Sequence, residues 1–204
     1  MCARYVVLTE EENREISRIL REISSKYKDQ EEPVRTGEIY PSNKAPVIIE
    51  EEAQVSAQAF KWGFPGFNGK GLIINARGET LAEKPTFKAS FINSRCLIPA
   101  SGFFEWKEEG KKKDKYLIRP KKSNFFYMAG LYKSFIDNNG KVYKAFVVIT
   151  TQANNDMKKI HERMPVILNE EGAYTFIKRK ESLLHIQELI VPYSENLSIE
   201  KVVI

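Results

Sequence analysis

Apolar positions in this chain change period once, from a helical stripe near the start to short strand-like runs through most of the rest. Ile16, Ile19, Leu20, Ile23 and Tyr27 recur at helical spacing and predict an amphipathic helix to about residue 27. Thr9 and Glu12 have capping-box spacing at its start. Residues 29–46 carry Pro33, Pro41 and Pro46 and read as an extended surface connection. Apolar runs predict strands at 47–49 and 55–60, and the glycines and proline of 62–71 predict a loop. A short buried strand at 72–74 then ends at Asn75-Ala76-Arg77. Pro85 opens a helix to about Asn93 with Phe87 and Phe91 on one face. Strands follow at 96–98, 103–107, 116–119, 125–132 and 143–151. A short helix from Asn154 leads to His161, then a strand at 166–168 and helices at about 170–178 and 181–189.

Strands this short and this often in direct succession exclude a doubly wound parallel sheet. The expected class is α+β, a single domain over 1–204 with a curled, mainly antiparallel sheet flanked by short helices. Neither a repeat nor a dividing linker interrupts it. No apolar stretch reaches membrane-spanning length, and the start Met1-Cys2-Ala3-Arg4 lacks the apolar run of a secretory signal, so an intracellular, cytoplasmic protein is expected. In that setting Cys2 and Cys96 are expected to stay reduced. A net charge of +5 makes a polyanion such as nucleic acid a candidate partner.

Cys2 is the first candidate for chemistry. Removal of Met1 would leave an amine and a thiol on adjacent carbons, titrating in water near ~8 and ~8.5. Such a 1,2-aminothiol condenses with an aldehyde to a Schiff base, which the sulfur closes into a five-membered thiazolidine. The alternative is an incidental cysteine on a loose terminus, although the apolar run Tyr5-Val6-Val7-Leu8 would tether it. His161, in His161-Glu162-Arg163-Met164-Pro165, has the side chain best matched to proton transfer near neutrality, or else bonds the backbone. Glu105, among Phe103, Phe104 and Trp106, is either a desolvated carboxylate suited to exchanging protons or a solvent-facing one. Asn75 and Arg77 end a strand, where Asn75 can orient a substrate oxygen or the terminal amine. Arg77 can grip a phosphate with both arms of its fork, or pair with Glu79.

Two cysteines and two histidines at unrelated spacings make no metal site, and nothing in the chain calls for a cofactor. The loop 66–71 lacks P-loop spacing. Lys111-Lys112-Lys113-Asp114-Lys115 reads as a solvated hairpin tip.

Taken in order, these segments resemble the SRAP family, the SOS-response-associated peptidase-like proteins that process abasic sites. The matching pieces are Met1-Cys2-Ala3-Arg4, Tyr40-Pro41-Ser42, Trp62-Gly63-Phe64 and Pro65-Gly66-Phe67. They continue through Asn75-Ala76-Arg77-Gly78-Glu79-Thr80, the run from Arg95 to Trp106, and His161 to Pro165. The resemblance implies a barrel-like core and a positively charged channel leading to the N-terminus. It implies that Cys2 links covalently to the ring-opened abasic sugar in single-stranded DNA, shielding the lesion. Asn75 would position the cysteine and the sugar, Glu105 assist Schiff-base formation, and His161 open the deoxyribose ring. Arg4, Arg77 and Arg163 would contact phosphates, Phe67 would wedge between bases, Pro41 and Thr150 would line the channel, and Lys84 would add charge. One departure stands out: the family usually has glycine where this chain has Ala3, and alanine resists positive φ.

Two other readings remain beside this one. One is an N-terminal-nucleophile peptidase built on Cys2, His161 and Glu105, with which self-processing of a short N-terminal segment belongs, whereas lyase activity through the Schiff base belongs with the covalent capture. The other is a non-catalytic single-strand binder. Each is compatible with a monomer that binds no membrane.

Overall fold

The structure, a computed structural model, describes residues 2–8, 14–27, 34–110 and 112–202. Its strands are β1 (Arg4–Val7), β2 (Gly37–Ile39), β3 (Lys44–Glu51), β4 (Gln54–Trp62), β5 (Phe64–Pro65), β6 (Leu72–Ile73), β7 (Asn75–Arg77) and β8 (Arg95–Ala100). They continue with β9 (Gly102–Glu109), β10 (Lys112–Pro120), β11 (Phe126–Ile136), β12 (Val142–Gln152), β13 (Arg163–Pro165), β14 (Ile167–Leu168) and β15 (Leu197–Lys201). The helices are α1 (Arg14–Lys26), α2 (Pro85–Asn93), α3 (Glu170–Ile177) and α4 (Leu183–Glu188). The capping box proposed for Thr9 and Glu12 lies outside the described residues.

The fold is α+β with mostly antiparallel pairing. β4, β3, β8, β11 and β12 pair in turn, and a parallel contact of β12 with β4 (Ala145 opposite Lys61, Phe146 opposite Trp62) closes them into a five-stranded barrel. Closure removes the exposed strand edges that an open sheet would present. A second sheet, in the order β15-β10-β9-β1-β2, carries the N-terminal strand.

Period-two alternation along the barrel strands separates two cores. Val47 and Ile49, Cys96 and Ile98, and Phe146 and Val148 join Tyr5, Val7, Trp62 and Phe103 in one. Ile48, Leu97, Ala129, Val147 and Ile149 face the other way and are covered by Ile19 and Ile23 of α1, Phe87 and Phe91 of α2, and Phe176 of α3. The helical stripe of α1 is therefore real: Ile16, Ile19, Leu20 and Ile23 are all buried.

Three expectations need correction. Pro46 lies inside β3, not on a surface connection; β3 pairs β8 only at Ile48 and Ile49, so at Pro46 the strand has one neighbour, where a missing N–H is tolerated. The strand placed at 72–74 is not buried: Leu72 is 46% exposed and its pair forms a small ribbon with β5. The lysine run is not wholly a solvated tip either, since Lys115 is buried in β10. β15 was absent from the sequence reading altogether.

Candidate functional site

Cys2 enters the fold through β1. Pairing of Arg4 with Phe104 and Tyr5 with Phe103, continued by one residue, sets Glu105 opposite Ala3, beside Cys2. Cys2 is 1% exposed, and its Sγ donates to the carbonyl of Arg4 at 3.6 Å. The terminus is thus held inside the protein, and Ala3 is not among the non-glycine residues with positive φ, which among the described residues are Ser42, Glu52 and Ala53. The extra methyl relative to glycine therefore imposes no backbone strain there. Burial, with the negative charge of Glu105 added, pushes the Cys2 thiol well above its ordinary value. The thiol is therefore protonated at neutral pH in this state, unlike the partly ionised group expected from the free amino acid.

Asn75 anchors the terminus from the other side. β7 runs parallel to β12, with Asn75 opposite Val148 and Arg77 opposite Thr150. From there the Asn75 Nδ2 donates to the carbonyl of Cys2 at 3.0 Å. The Asn75 Oδ1 is buried without a hydrogen-bond partner among the described residues. Glu105 is 3% exposed, which rules out the solvent-facing alternative. Sequence reasoning missed Tyr5: its ring packs edge-on to Trp62 at 5.1 Å, and its buried hydroxyl has no partner among the described residues. Burial first, then the nearby Cys2 and Cys96 thiols, raise that phenol.

His161 follows the turn at Met157–Lys159, which packs through Met157, Ile160 and Met164 on the core that holds Cys2. Its backbone N–H donates to Met157 at 2.9 Å, and its Nδ1 accepts the backbone N–H of Arg163 at 2.9 Å. An accepting Nδ1 leaves the ring proton on Nε2. A backbone bond and an acid/base role are therefore compatible, one on each nitrogen.

The basic residues differ in how free they are. Arg163 is held by both oxygens of Glu79 and donates from Nη2 to the carbonyl of Thr150 at 2.8 Å. These bonds hold Glu79 below the ordinary carboxylate value. The Arg77–Glu79 pair considered from the sequence is thus an Arg163–Glu79 pair, and the side chain of Arg77 is exposed. Thr150 is fully buried between them, its hydroxyl donating to Ala76 at 3.5 Å. Arg4 pairs with Glu38 at 3.3 Å. Glu38 also receives Lys115 and, at 3.0 Å, the hydroxyl of Tyr40. Although burial acts in the opposite direction, these donors lower Glu38 from its ordinary value. The sequence signal for this hub is slight: only the pairing of β2 with β1 brings Glu38 to Arg4.

Pro41 is half-buried in the turn after β2. Phe67 is 78% exposed on the 66–71 loop. That loop is tight, since a Cβ on Gly66 would lie 2.1 Å from the Lys70 carbonyl oxygen, so only glycine fits. Lys84 is exposed at the start of α2. Among the described residues no cluster of His, Cys, Asp and Glu is arranged to hold a metal, and no helix is long and apolar enough to cross a membrane. A separate cleft of about 850 Å³, with Phe125, Tyr127, Tyr174 and Tyr193 in its walls, contains none of the residues named above as candidates.

The chain is similar to known proteins along most of its length. It is 37% identical over 170 residues to the abasic site processing protein YoqW of Bacillus subtilis, covering 77% of this chain and 76% of that one. It is 30% identical over 152 residues to the abasic site processing protein YedK of Escherichia coli, covering 74% and 68%. A crystal structure of a protein from Bacteroides thetaiotaomicron superposes with a TM-score of 0.81 at 26% identity, covering 98% of this chain and 92% of that one. Residues 1–203 match the SOS response associated peptidase (SRAP) family, and with the relatives above this shows that the chain belongs to that family.

Proposed function

We propose that this protein processes abasic sites by capturing them covalently in single-stranded DNA, through the amine and thiol of Cys2 once Met1 is removed. The relatives' names support abasic-site processing as the task. The observation that carries the chemistry is the Asn75 hydrogen bond to the Cys2 carbonyl at 3.0 Å, which holds the terminus beside Glu105. Fixing both nucleophilic atoms of Cys2 in one place makes the second bond-forming step effectively unimolecular.

His161 acts as acid and base in opening the abasic deoxyribose: the C1 hydroxyl loses a proton, the ring oxygen gains one, the C1–O4 bond breaks to give the aldehyde, and the imidazole ends in its starting state. Glu105 takes a proton from the Cys2 ammonium, the freed amine adds to that carbonyl carbon, and Glu105 returns the proton to the hydroxyl, which leaves as water and gives the protonated imine. The carbon of the protonated imine then accepts the Cys2 sulfur, whose proton passes to Glu105, leaving a neutral N–H in the ring. The products are one thiazolidine and one water, and no electrons are exchanged with an outside reagent. The elevated thiol favours this order, because sulfur reacts only after its proton has a nearby acceptor. Arg77, with Arg4 and Arg163 after release from their carboxylates, would hold the flanking phosphates. Phe67, Pro41, Thr150 and Lys84 would complete the path of the strand.

The experiment is a denaturing gel. Protein confirmed to begin at Cys2 is mixed with a single strand carrying one abasic site. A denaturant-resistant adduct is expected, lost in Cys2→Ala and absent with undamaged DNA. In His161→Ala, adduct formation should slow by about 100-fold or more while the strand still binds. Binding without any adduct would overturn the covalent reading and leave a non-catalytic binder.

A further inference from the structure

Tyr40 is an aromatic ring fixed on three sides and open on the fourth. Its hydroxyl donates to Glu38 at 3.0 Å, and its backbone N–H donates to the Asn43 side chain at 3.0 Å. A turn follows in which the Asn43 N–H returns to the Tyr40 carbonyl at 3.0 Å, with Ser42 at φ 73°. One face of the ring is covered by the Arg4 guanidinium at 4.2 Å, and that guanidinium also lies 5.0 Å from the Trp106 ring. Tyr40 is nevertheless 43% exposed.

This arrangement has a strand-pairing origin. β1 and β2 pair with Tyr5 opposite Ile39, so one step further Arg4 and Tyr40 face each other, two residues from Cys2. A carboxylate, a guanidinium and, behind the guanidinium, one further aromatic ring are thus spent on holding one exposed phenol still. A side chain held in place in the free protein loses little conformational freedom on binding. Every nucleobase has a π-face, so a rigid ring beside a guanidinium suits bases of any identity.

We propose that the open face of Tyr40 is a stacking platform for the nucleobase next to the reacting sugar. This rests on the proposed role in capturing abasic single strands, and it deepens that role by naming where a neighbouring base is held. The platform accepts bases without regard to sequence and sets the strand's register relative to Cys2.

The test measures equilibrium binding of an undamaged, fluorescently labelled single strand, for which crosslinking chemistry is irrelevant. Loss of one base–aromatic stack, ~1–3 kcal/mol, corresponds to roughly 5- to 150-fold in Kd. Tyr40→Ala should weaken binding by at least about 5-fold with an unchanged slope of log Kd against log salt. Tyr40→Phe should stay within about 2-fold of the original protein. With a strand of the same length made wholly of tetrahydrofuran abasic units, which keeps the phosphates and has no bases, the Tyr40→Ala defect should vanish. Equal binding by Tyr40→Ala and the original protein would overturn the platform. So would a salt slope altered by about 0.7, one phosphate contact, since the defect would then belong to Arg4. Failure of the original protein to bind the undamaged strand would instead overturn the single-strand reading beneath it.

Discussion

Replacing Asn75 with alanine deletes the hydrogen bond from Nδ2 to the Cys2 carbonyl at 3.0 Å and fills its place with nothing. A carbonyl left buried without a partner costs ~1–3 kcal/mol. The terminus can avoid that cost by leaving its site, so the undocked population should rise by roughly 5- to 150-fold. Docked, the Cys2 thiol is shielded, 1% exposed and pushed up by burial and by the charge of Glu105. Undocked, it returns to ordinary thiol behaviour. Alkylation of Cys2 by iodoacetamide at pH 8 therefore reports the undocked population. The rate, followed by peptide mass spectrometry, should increase by the same 5- to 150-fold in Asn75→Ala. Cys96, equally buried but in β8, is the internal control and should react at its original rate. Equal Cys2 rates in the two proteins would refute the anchoring role. A parallel rise at Cys96 would refute it too, because it would mark general unfolding.

Other regions give equally direct expectations. Arg95 is buried and donates to four carbonyls, those of Phe91, Ile92, Phe176 and Lys178, at the C-terminal ends of α2 and α3 where a cation is favoured. Arg95→Met should cost about 3–5 kcal/mol in urea unfolding, and Arg95→Lys should not restore it, because a lysine ammonium cannot span two helix ends; a loss under about 1 kcal/mol would contradict this. Burial raises the thiols of Cys2 and Cys96 from a model-compound value of 9.0. Their stabilising contribution is therefore complete below pH 9 and falls as pH rises above it, by ~1.4 kcal/mol per pH unit for each thiol. Replacing Cys96 with alanine should make the alkaline decline of urea-unfolding stability shallower by that amount, and an unchanged slope would show the thiol ionises freely in the folded protein. Glu79→Gln weakens the hold on Arg163, and on the proposed reading the salt slope for single-strand binding should steepen by about 0.7; no change would make Arg163 a structural residue.

Much of this was legible in the sequence because local rules and tertiary packing agree. Pro85 starts α2, and Asn93 ends it, as the Pro-first pattern with Phe87 and Phe91 on one face predicts. Burial of Glu105 could be inferred because aromatic neighbours exclude water wherever the strand lies. Pairings remote in sequence were not legible. Nothing near Glu79 indicates that it meets Arg163 rather than Arg77, since only the placement of β7 and β13 on either side of Thr150 decides it. Leu72 looked buried by composition, but the ribbon of β5 and β6 stands off the barrel. β15, Leu-Ser-Ile-Glu-Lys, is too short and polar to signal a strand, and forms because β10 offers it an edge. The thiol's raised value likewise follows from enclosure, which the second position of a chain does not advertise.

The most direct test of the central claim is the intact mass of the adduct between the processed protein and a single strand with one abasic site. The adduct should have the sum of the two masses less one water and be stable in denaturant without a reducing agent, with fragmentation placing both the nitrogen and the sulfur of Cys2 in the link. An adduct that needs borohydride to survive, or one that forms equally well with Cys2→Ala, would contradict that claim.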